Sequence, residues 1–284
     1  MSTFAIAGLQ LETVPGDNTE MMIREIDAVV QRYPWLDMVV CPEFACSTDA
    51  SCAEPVPGPR EQQFQAVAKR HGIWLIPGSM YESDGERVYN TAAVISPDGD
   101  VITRHRKLFP WHPYEKHTTP GAQHTVFDVP GIARFGISIC YDMWFPETVR
   151  ALIWQGAEII LHPTLTSSID RGAELGMIRA HAAQNQCYFF DVNLAGPSGV
   201  GESLIAGPGG EVIHQAGKSR EIIALKLDLN YLRDVRRDGW QNLGQPLKSF
   251  RDSQLTFPQY EEGQDSDVLK ALGELRMPAR DESR

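Results

Sequence analysis

Apolar residues in this chain recur in two alternating rhythms. Near the start, Phe4, Ile6 and Leu9 lie in a short run of extended character that reads as a strand. Over residues 19 to 33, Met22, Ile26, Val29, Val30 and Tyr33 fall at helical spacing, and after Pro34 and Asp37 the run Met38–Cys41 is continuously apolar. That predicts strand, helix, strand within 43 residues. A second helical pattern carrying Phe64, Val67 and Ala68 leads into WLIPGSMY. VYNTAAVI then turns at SPDGD and returns as VITRHRK, the pattern of a β-hairpin.

The second half repeats the theme. RFGISIC reads as a strand, Pro146 to Gln155 as a helix ended by Gly156, EIILHP as a strand, 172–186 as a long helix and CYFFDVN as another strand. Alternation of this kind predicts an α/β layered fold. The turn Pro97-Asp98-Gly99-Asp100-Val101-Ile102 is echoed by Pro208-Gly209-Gly210-Glu211-Val212-Ile213. A duplicated hairpin points to two similar sheet halves, and two sheets face to face with helices outside make a four-layer α-β-β-α sandwich. From about residue 230 the pattern loosens, so the expected organisation is one body over 1–260 and an acidic C-terminal tail over 261–284, an arm that packs across the body or a neighbouring subunit.

Composition narrows the function. With 42% hydrophobic and 22% charged residues the chain can bury a core, and no stretch approaches the roughly 20 apolar residues of a membrane helix. The first residues carry neither a basic segment nor a small-residue cleavage pattern, so a cytoplasmic location is expected. A net charge of -11 without a basic stripe argues against nucleic acid or an anionic membrane as partner and for a small molecule. The five cysteines are odd in number and lack CxxC spacing, so free thiols are expected and a disulfide framework is not. Cys41, Cys46 and Cys52 lie near one another, but no histidine precedes His71 and their spacings of five and six do not suit zinc. No phosphate loop, dinucleotide fingerprint or metal triad is present, and neither cofactor nor metal is expected.

Three short stretches carry the candidate chemistry: Glu43 in VVCPEF, Lys107 in RHRKLFPW and Cys140 in GISICYDMWFPE. Each sits where an apolar strand-like run stops, the place where reactive groups gather in α/β proteins. A thiol, an acid and an amine in one pocket can attack a carbonyl or nitrile carbon, hold the anion that forms and move the protons. Each also has a plainer role: a packed thiol, a helix-capping carboxylate, a solvated basic face. Asp142 and Glu147 read as supports for the elbow and the helix start. Trp111, Tyr114, Trp144 and Phe145 either wall a small pocket or belong to the core. The loop Thr164–Ser168 follows a strand and is expected to touch substrate, through Thr164 and Thr166.

Together the three stretches resemble those of the nitrilase superfamily, the carbon–nitrogen hydrolases, in which Glu, Lys and Cys follow in this order. The resemblance runs over about residues 4 to 240 and includes PEF, RKL, CYDMWFPE and RAHAAQNQCYFFDVN. It implies the α-β-β-α sandwich and a Cys140 nucleophile, with Glu43 as proton carrier and Lys107 plus the backbone N–H of Tyr141 holding the oxyanion. RKLFPWHPYE resembles the aliphatic amidase branch, where a second glutamate follows the lysine by eight residues, which places Glu115 in the site. CYDMWFPE departs from that branch and is nearer to generic amidase and N-carbamoyl-amine forms.

The implied activity is hydrolysis of a small linear amide to acid and ammonia through a thioester. An N-carbamoyl amine, an N-carbamoyl amino acid or a nitrile is the alternative substrate. For an N-carbamoyl acid, Arg171 would pair the carboxylate. The alternative of another class is a catalytically silent interaction protein on the same sandwich. The resemblance also implies a homodimer or larger even-numbered homo-oligomer.

Overall fold

The computed structural model describes residues 3–261 and 265–277. The first half builds β1 (Thr3–Gln10), α1 (Thr19–Arg32), β2 (Met38–Val40), α2 (Pro59–His71), β3 (Trp74–Ile76), β4 (Ser79–Asp84), β5 (Arg87–Ile95) and β6 (Val101–Arg106). The second builds β7 (Thr125–Val129), β8 (Ala133–Ile137), α3 (Pro146–Trp154), β9 (Ile159–Thr164), α4 (Arg171–Asn185), β10 (Tyr188–Asn193), β11 (Leu204–Ala206) and β12 (Val212–Gln215). The chain then crosses back. β13 (Glu221–Asp228) pairs antiparallel with β1 along all eight residues of both strands, and α5 (Leu229–Asp238), α6 (Pro246–Asp252) and α7 (Asp267–Lys270) follow.

One sheet runs β13-β1-β2-β3-β5-β4 with β6 also on β5, and the other runs β12-β11-β10-β9-β8-β7. In each, three strands are parallel: β1-β2-β3 and β8-β9-β10. Parallel strands are covered on both faces, and here three apolar cores do this. Phe4, Ile6, Met38 and Val40 of the first sheet meet Phe135, Ile137, Leu161 and Phe190 of the second. Outside the first sheet Ala7, Leu9 and Val39 pack under α1 and α2 with Met22, Ile26 and Phe64; outside the second, Ile160 and Phe189 pack with Leu152 of α3 and Ile178 of α4. The result is the four-layer α-β-β-α sandwich. Leu9 departs from the expected pattern, lying on the helix side and not with Phe4 and Ile6, because β1 is interior on both faces and shows no polar alternation.

The hairpin echo is a structural duplication. Ser96 N donates to Asp100 O and Gly99 N to Ser96 O; in the second turn Gly207 N donates to Glu211 O and Gly210 N to Gly207 O. Both third-position glycines have positive φ, +85° and +80°, a region that favours glycine. The registers shift at matching places, Val94/Ile95 and Ile205/Ala206. Each turn also packs on its own helix: Gln65 Nε2 of α2 donates to Gly99 O, and Arg179 Nε of α4 to Gly210 O.

WLIPGSMY and RFGISIC, the second of them expected as a strand, each break. WLIPGSMY is two strands, β3 and β4, with Gly78 at φ +80° between them; a Cβ there would lie 1.8 Å from Pro42 O, so only glycine lets this turn press on the segment leading to Glu43. RFGISIC stops being strand at Ile137, and Cys140 opens a tight turn.

C-terminal to Asp252 the described chain is largely exposed, including Leu255, Val268, Leu269, Leu272 and Leu275. Part of the expected 261–284 tail, 262–264 and 278–284, lies outside the described residues. Among the described residues no helix is long and apolar enough to cross a membrane, and no group of three or more His, Cys, Asp or Glu is arranged to hold a metal ion. Cys41 and Cys46 are buried in the core under α1 and α2.

Candidate active site

The parallel strands of both sheets point their carboxyl ends to one place. Glu43 follows β2, Cys140 follows β8, Leu165 and Thr166 follow β9, and β6 delivers Lys107 from the hairpin. They line a cavity of about 340 Å³, with aromatic walls from Phe44, Tyr81, Trp111, Tyr141 and Trp144. That is the lower end of the range for small-ligand sites.

Lys107 is buried between two carboxylates. Its Nζ donates to Glu43 Oε1 at 2.9 Å and to Glu115 Oε2 at 2.7 Å. Glu43 is held at both oxygens: Asn90 Nδ2 also donates to Oε1 at 2.7 Å, and the Leu165 backbone N–H to Oε2 at 2.8 Å. The Leu165 peptide faces the thiol as well, its carbonyl accepting from Cys140 Sγ at 3.8 Å. One residue of the β9 loop, through its two flanking peptides, thus fixes the carboxylate and the sulfur relative to each other. Glu115 also accepts from the backbone N–H of Trp111, while its Oε1 has no partner among the described residues.

Cys140 and Phe44, the residue after Glu43, have φ of +46° and +54°. Such backbone is costly for residues with a Cβ and survives only where the surroundings impose it. At the thiol the imposing group is Asp142. Its carboxylate accepts from the Ile139 N–H at 3.0 Å, from the Phe109 N–H at 2.8 Å and lies 3.1 Å from His105 Nε2. Asp142 therefore supports the elbow, as expected, and ties it to the segment after Lys107. His105 is buried and joins Asp142 to Thr125, so it is no solvated basic residue. Arg104 and Arg106, half-buried, pair with the buried carboxylates of Glu61 and Glu82.

Burial pushes the Glu43 carboxyl above the ordinary carboxylate range; Lys107 pulls it down and Glu115 pushes it up. Burial alone would lower Lys107, but Glu43, Cys140 and Glu115 together hold its ammonium well above the usual lysine value. The Cys140 thiol is raised strongly, by burial first and then by Glu43, against the pull of Lys107. The free site thus holds a neutral thiol beside an ammonium, with the Glu43 carboxyl facing both.

Tyr141, Trp144 and Thr166 line the cavity, together with Trp111. Thr164 does not. It is the last residue of β9, fully buried, with its hydroxyl 3.4 Å from that of Thr166, so the residues of this loop at the cavity are Leu165 to Ser168. Tyr114 stacks on Trp111 and Phe145 on Phe109, and neither Tyr114 nor Phe145 lines the cavity. Arg171 neither faces solvent nor reaches a substrate: it is 2% exposed, paired with Asp191 and with Glu174 at 3.1 Å, because α4 begins beneath the loop. His162 is buried against Ser138 O, and Cys187 packs in the core.

Asn90, Glu174 and the Leu165 N–H were not singled out from sequence. Asn90 left a signal, a polar residue within an apolar run; a backbone N–H leaves none. Glu174 lines the cavity from α4, where helical acids ordinarily face water; Thr166 Oγ1 donates to its Oε1 at 3.0 Å and Trp144 Nε1 at 3.4 Å.

Known proteins share this arrangement of sequence and fold. An ω-amidase NIT2 from Xenopus tropicalis is 33% identical over 202 residues, 65% of this chain and 72% of the relative. A formamidase from Bacillus cereus (strain B4264) is 30% identical over 235 residues, 78% and 70% of the two chains. Among solved structures, Saccharomyces cerevisiae Nit3, a member of the nitrilase superfamily, superposes with a TM-score of 0.76 at 26% identity, covering 83% of this chain and 94% of its own. The family model for carbon-nitrogen hydrolases matches residues 5–237, and the chain belongs to that family.

Proposed function

We propose that the protein is an amidase that converts a small linear amide to its acid and ammonia through a thioester on Cys140. The observation that supports this most directly is the buried Glu43–Lys107–Glu115 group set against the thiol at the carboxyl ends of the strands. As the Cys140 sulfur attacks the amide carbon, Glu43 takes the thiol proton and later gives it to the departing ammonia. The oxyanion forms against the Lys107 ammonium and the Tyr141 backbone N–H. Water, deprotonated by Glu43, then releases the acid. Glu115 keeps Lys107 protonated and oriented. The ω-amidase and formamidase relatives support the amide as substrate. Burial of Arg171 removes the group that would have favoured an N-carbamoyl amino acid.

The testing experiment is ammonia release by the purified protein and its Cys140→Ala variant over short amides, N-carbamoyl amines, N-carbamoyl amino acids and nitriles. Release confined to the amides and dependent on Cys140 supports the reading. A folded protein that releases none from any of them is the silent scaffold.

The protonation pattern predicts the pH profile. Glu43 must be ionised to accept the thiol proton, and its carboxyl is raised, so kcat/KM falls as pH drops through a value above 4.5, the ordinary one for glutamate. Lys107 and Cys140 are both raised, so no thiolate-driven increase is expected near the ordinary cysteine value of 9.0. Glu43→Gln removes both the acid limb and most of the rate; an unchanged limb assigns it to another group.

We further propose a cytoplasmic body over residues 1–260 that assembles as an even-numbered homo-oligomer through α3, α4 and the C-terminal arm. Trp154 of α3 is 73% exposed and touches Phe250 of α6 edge-on, an apolar surface of the kind that partners cover. Light scattering is expected to give twice the monomer mass or an even multiple; a monomer at micromolar concentration refutes the assembly.

A further inference from the structure

We infer that the amide this site selects carries a positively charged amine at its far end. The inference rests on the amidase reading and adds the charge class of the substrate. Among the described residues the cavity wall holds one cation, Lys107, and four carboxylates, Glu43, Glu115, Asp170 and Glu174. Lys107 is already shared between Glu43 and Glu115. Arg171 approaches Glu174 from behind, at Oε2 only, and is itself shared with Asp191, so two carboxylates stand against one guanidinium there. Asp170 accepts from Ser168 Oγ at 2.8 Å and makes no ion pair among the described residues. In each of the three places negative charge is in excess, and no cation on the wall remains for a substrate carboxylate.

The second observation is aromatic. Trp111, Tyr141 and Trp144 line the same cavity, Tyr141 and Trp144 with ring centroids 5.8 Å apart. Rings of this kind attract a cation to their faces, and a carboxylate beside them adds to that attraction. Trp144 links the two features directly, its Nε1 donating to Glu174 Oε1. The neutral amide therefore sits at the sulfur, while the far ammonium lies between these rings and the Asp170–Glu174 side of the α4 start. A cavity of about 340 Å³ suits a chain of a few carbons between the two ends.

The test is a set of three amides of equal chain length, δ-aminovaleramide, hexanamide and adipic acid monoamide, which end in ammonium, methyl and carboxylate. The kcat/KM should favour ammonium over methyl by about tenfold and disfavour carboxylate by on the order of a hundredfold, since juxtaposed like charges are strongly penalised. Asp170→Asn should narrow the ammonium-to-methyl ratio roughly threefold, through KM, the size expected for one partly exposed charge. Equal turnover of the methyl and ammonium amides, or preference for the carboxylate, overturns this inference and leaves the amidase standing. An unchanged ratio in Asp170→Asn also counts against it. No hydrolysis of any of the three by a protein that turns over another short amide overturns the inference alone; no release from any amide removes the amidase reading and the inference with it.

Discussion

Cys140→Ala abolishes ammonia release, lowering kcat by at least about three orders of magnitude, while leaving the fold intact. The size follows from the role: without a nucleophile no thioester forms, and what remains is the catalysis that Lys107 and binding give to direct attack by water. The small structural cost follows from the geometry. Alanine keeps the Cβ, so the positive φ at residue 140 is no more strained than before, and the Asp142 bonds that impose it are to backbone groups of Ile139 and Phe109. The sulfur lost makes a weak contact to the Leu165 carbonyl and faces the Glu43 carboxyl. Stability should change by less than about 1 kcal/mol in a denaturant titration. A variant that retains more than a tenth of the rate excludes Cys140 as nucleophile; one that fails to fold would show that the sulfur itself holds the elbow.

Lys107→Met acts on both activity and stability. Methionine matches the length of the aliphatic stem but leaves Glu43 and Glu115 facing each other without the ammonium that both now contact. Removing one partner from a buried ion group costs about 3–5 kcal/mol, because the remaining charges keep their desolvation without compensation. The loss should also depend on pH with a definite sign. Without the cation the Glu43 carboxyl, already raised by burial, titrates higher still in the folded protein than in the unfolded chain, so protonation favours the fold, and the variant should recover stability as pH falls from 8 to about 5. Turnover should fall by roughly a hundredfold or more, the size expected when a preorganised donor to the oxyanion is lost. Thermal unfolding at the two pH values, set beside single-turnover rates, separates the two effects. Stability equal to wild type at pH 8 would mean that Lys107 does not neutralise this group.

The division between what was legible in the chain and what was not follows the range of the interactions. β2, α1 and α4 come from local periodicity, and Glu43, Lys107 and Cys140 stand where such patterns stop, so each could be found within a few residues of sequence. The duplicated hairpin was legible because its turns reuse the same glycine position and the same hydrogen bonds. β7, β13 and α5 were missed. β13 is part of the first sheet only because it lies beside β1 across more than 200 residues of chain, a pairing no local pattern encodes.

At the site the same limit applies. Thr164 and Leu165 are adjacent in sequence, yet one is buried within the strand and the other reaches both Glu43 and Cys140 through its backbone, a difference set by where β9 ends. Arg171, apparently free to meet a carboxylate, is neutralised by Asp191 from a different strand, and Glu174, ordinary as a helical acid, is turned to the cavity by the packing of α4. The sequence by itself determined the layered α/β class, the duplicated halves and the three residues that carry the candidate chemistry, because these are properties of short segments. Only the tertiary structure decided which oxygen faces which proton, how the thiol is held and what charge the cavity presents, since each depends on groups brought together from both sheets.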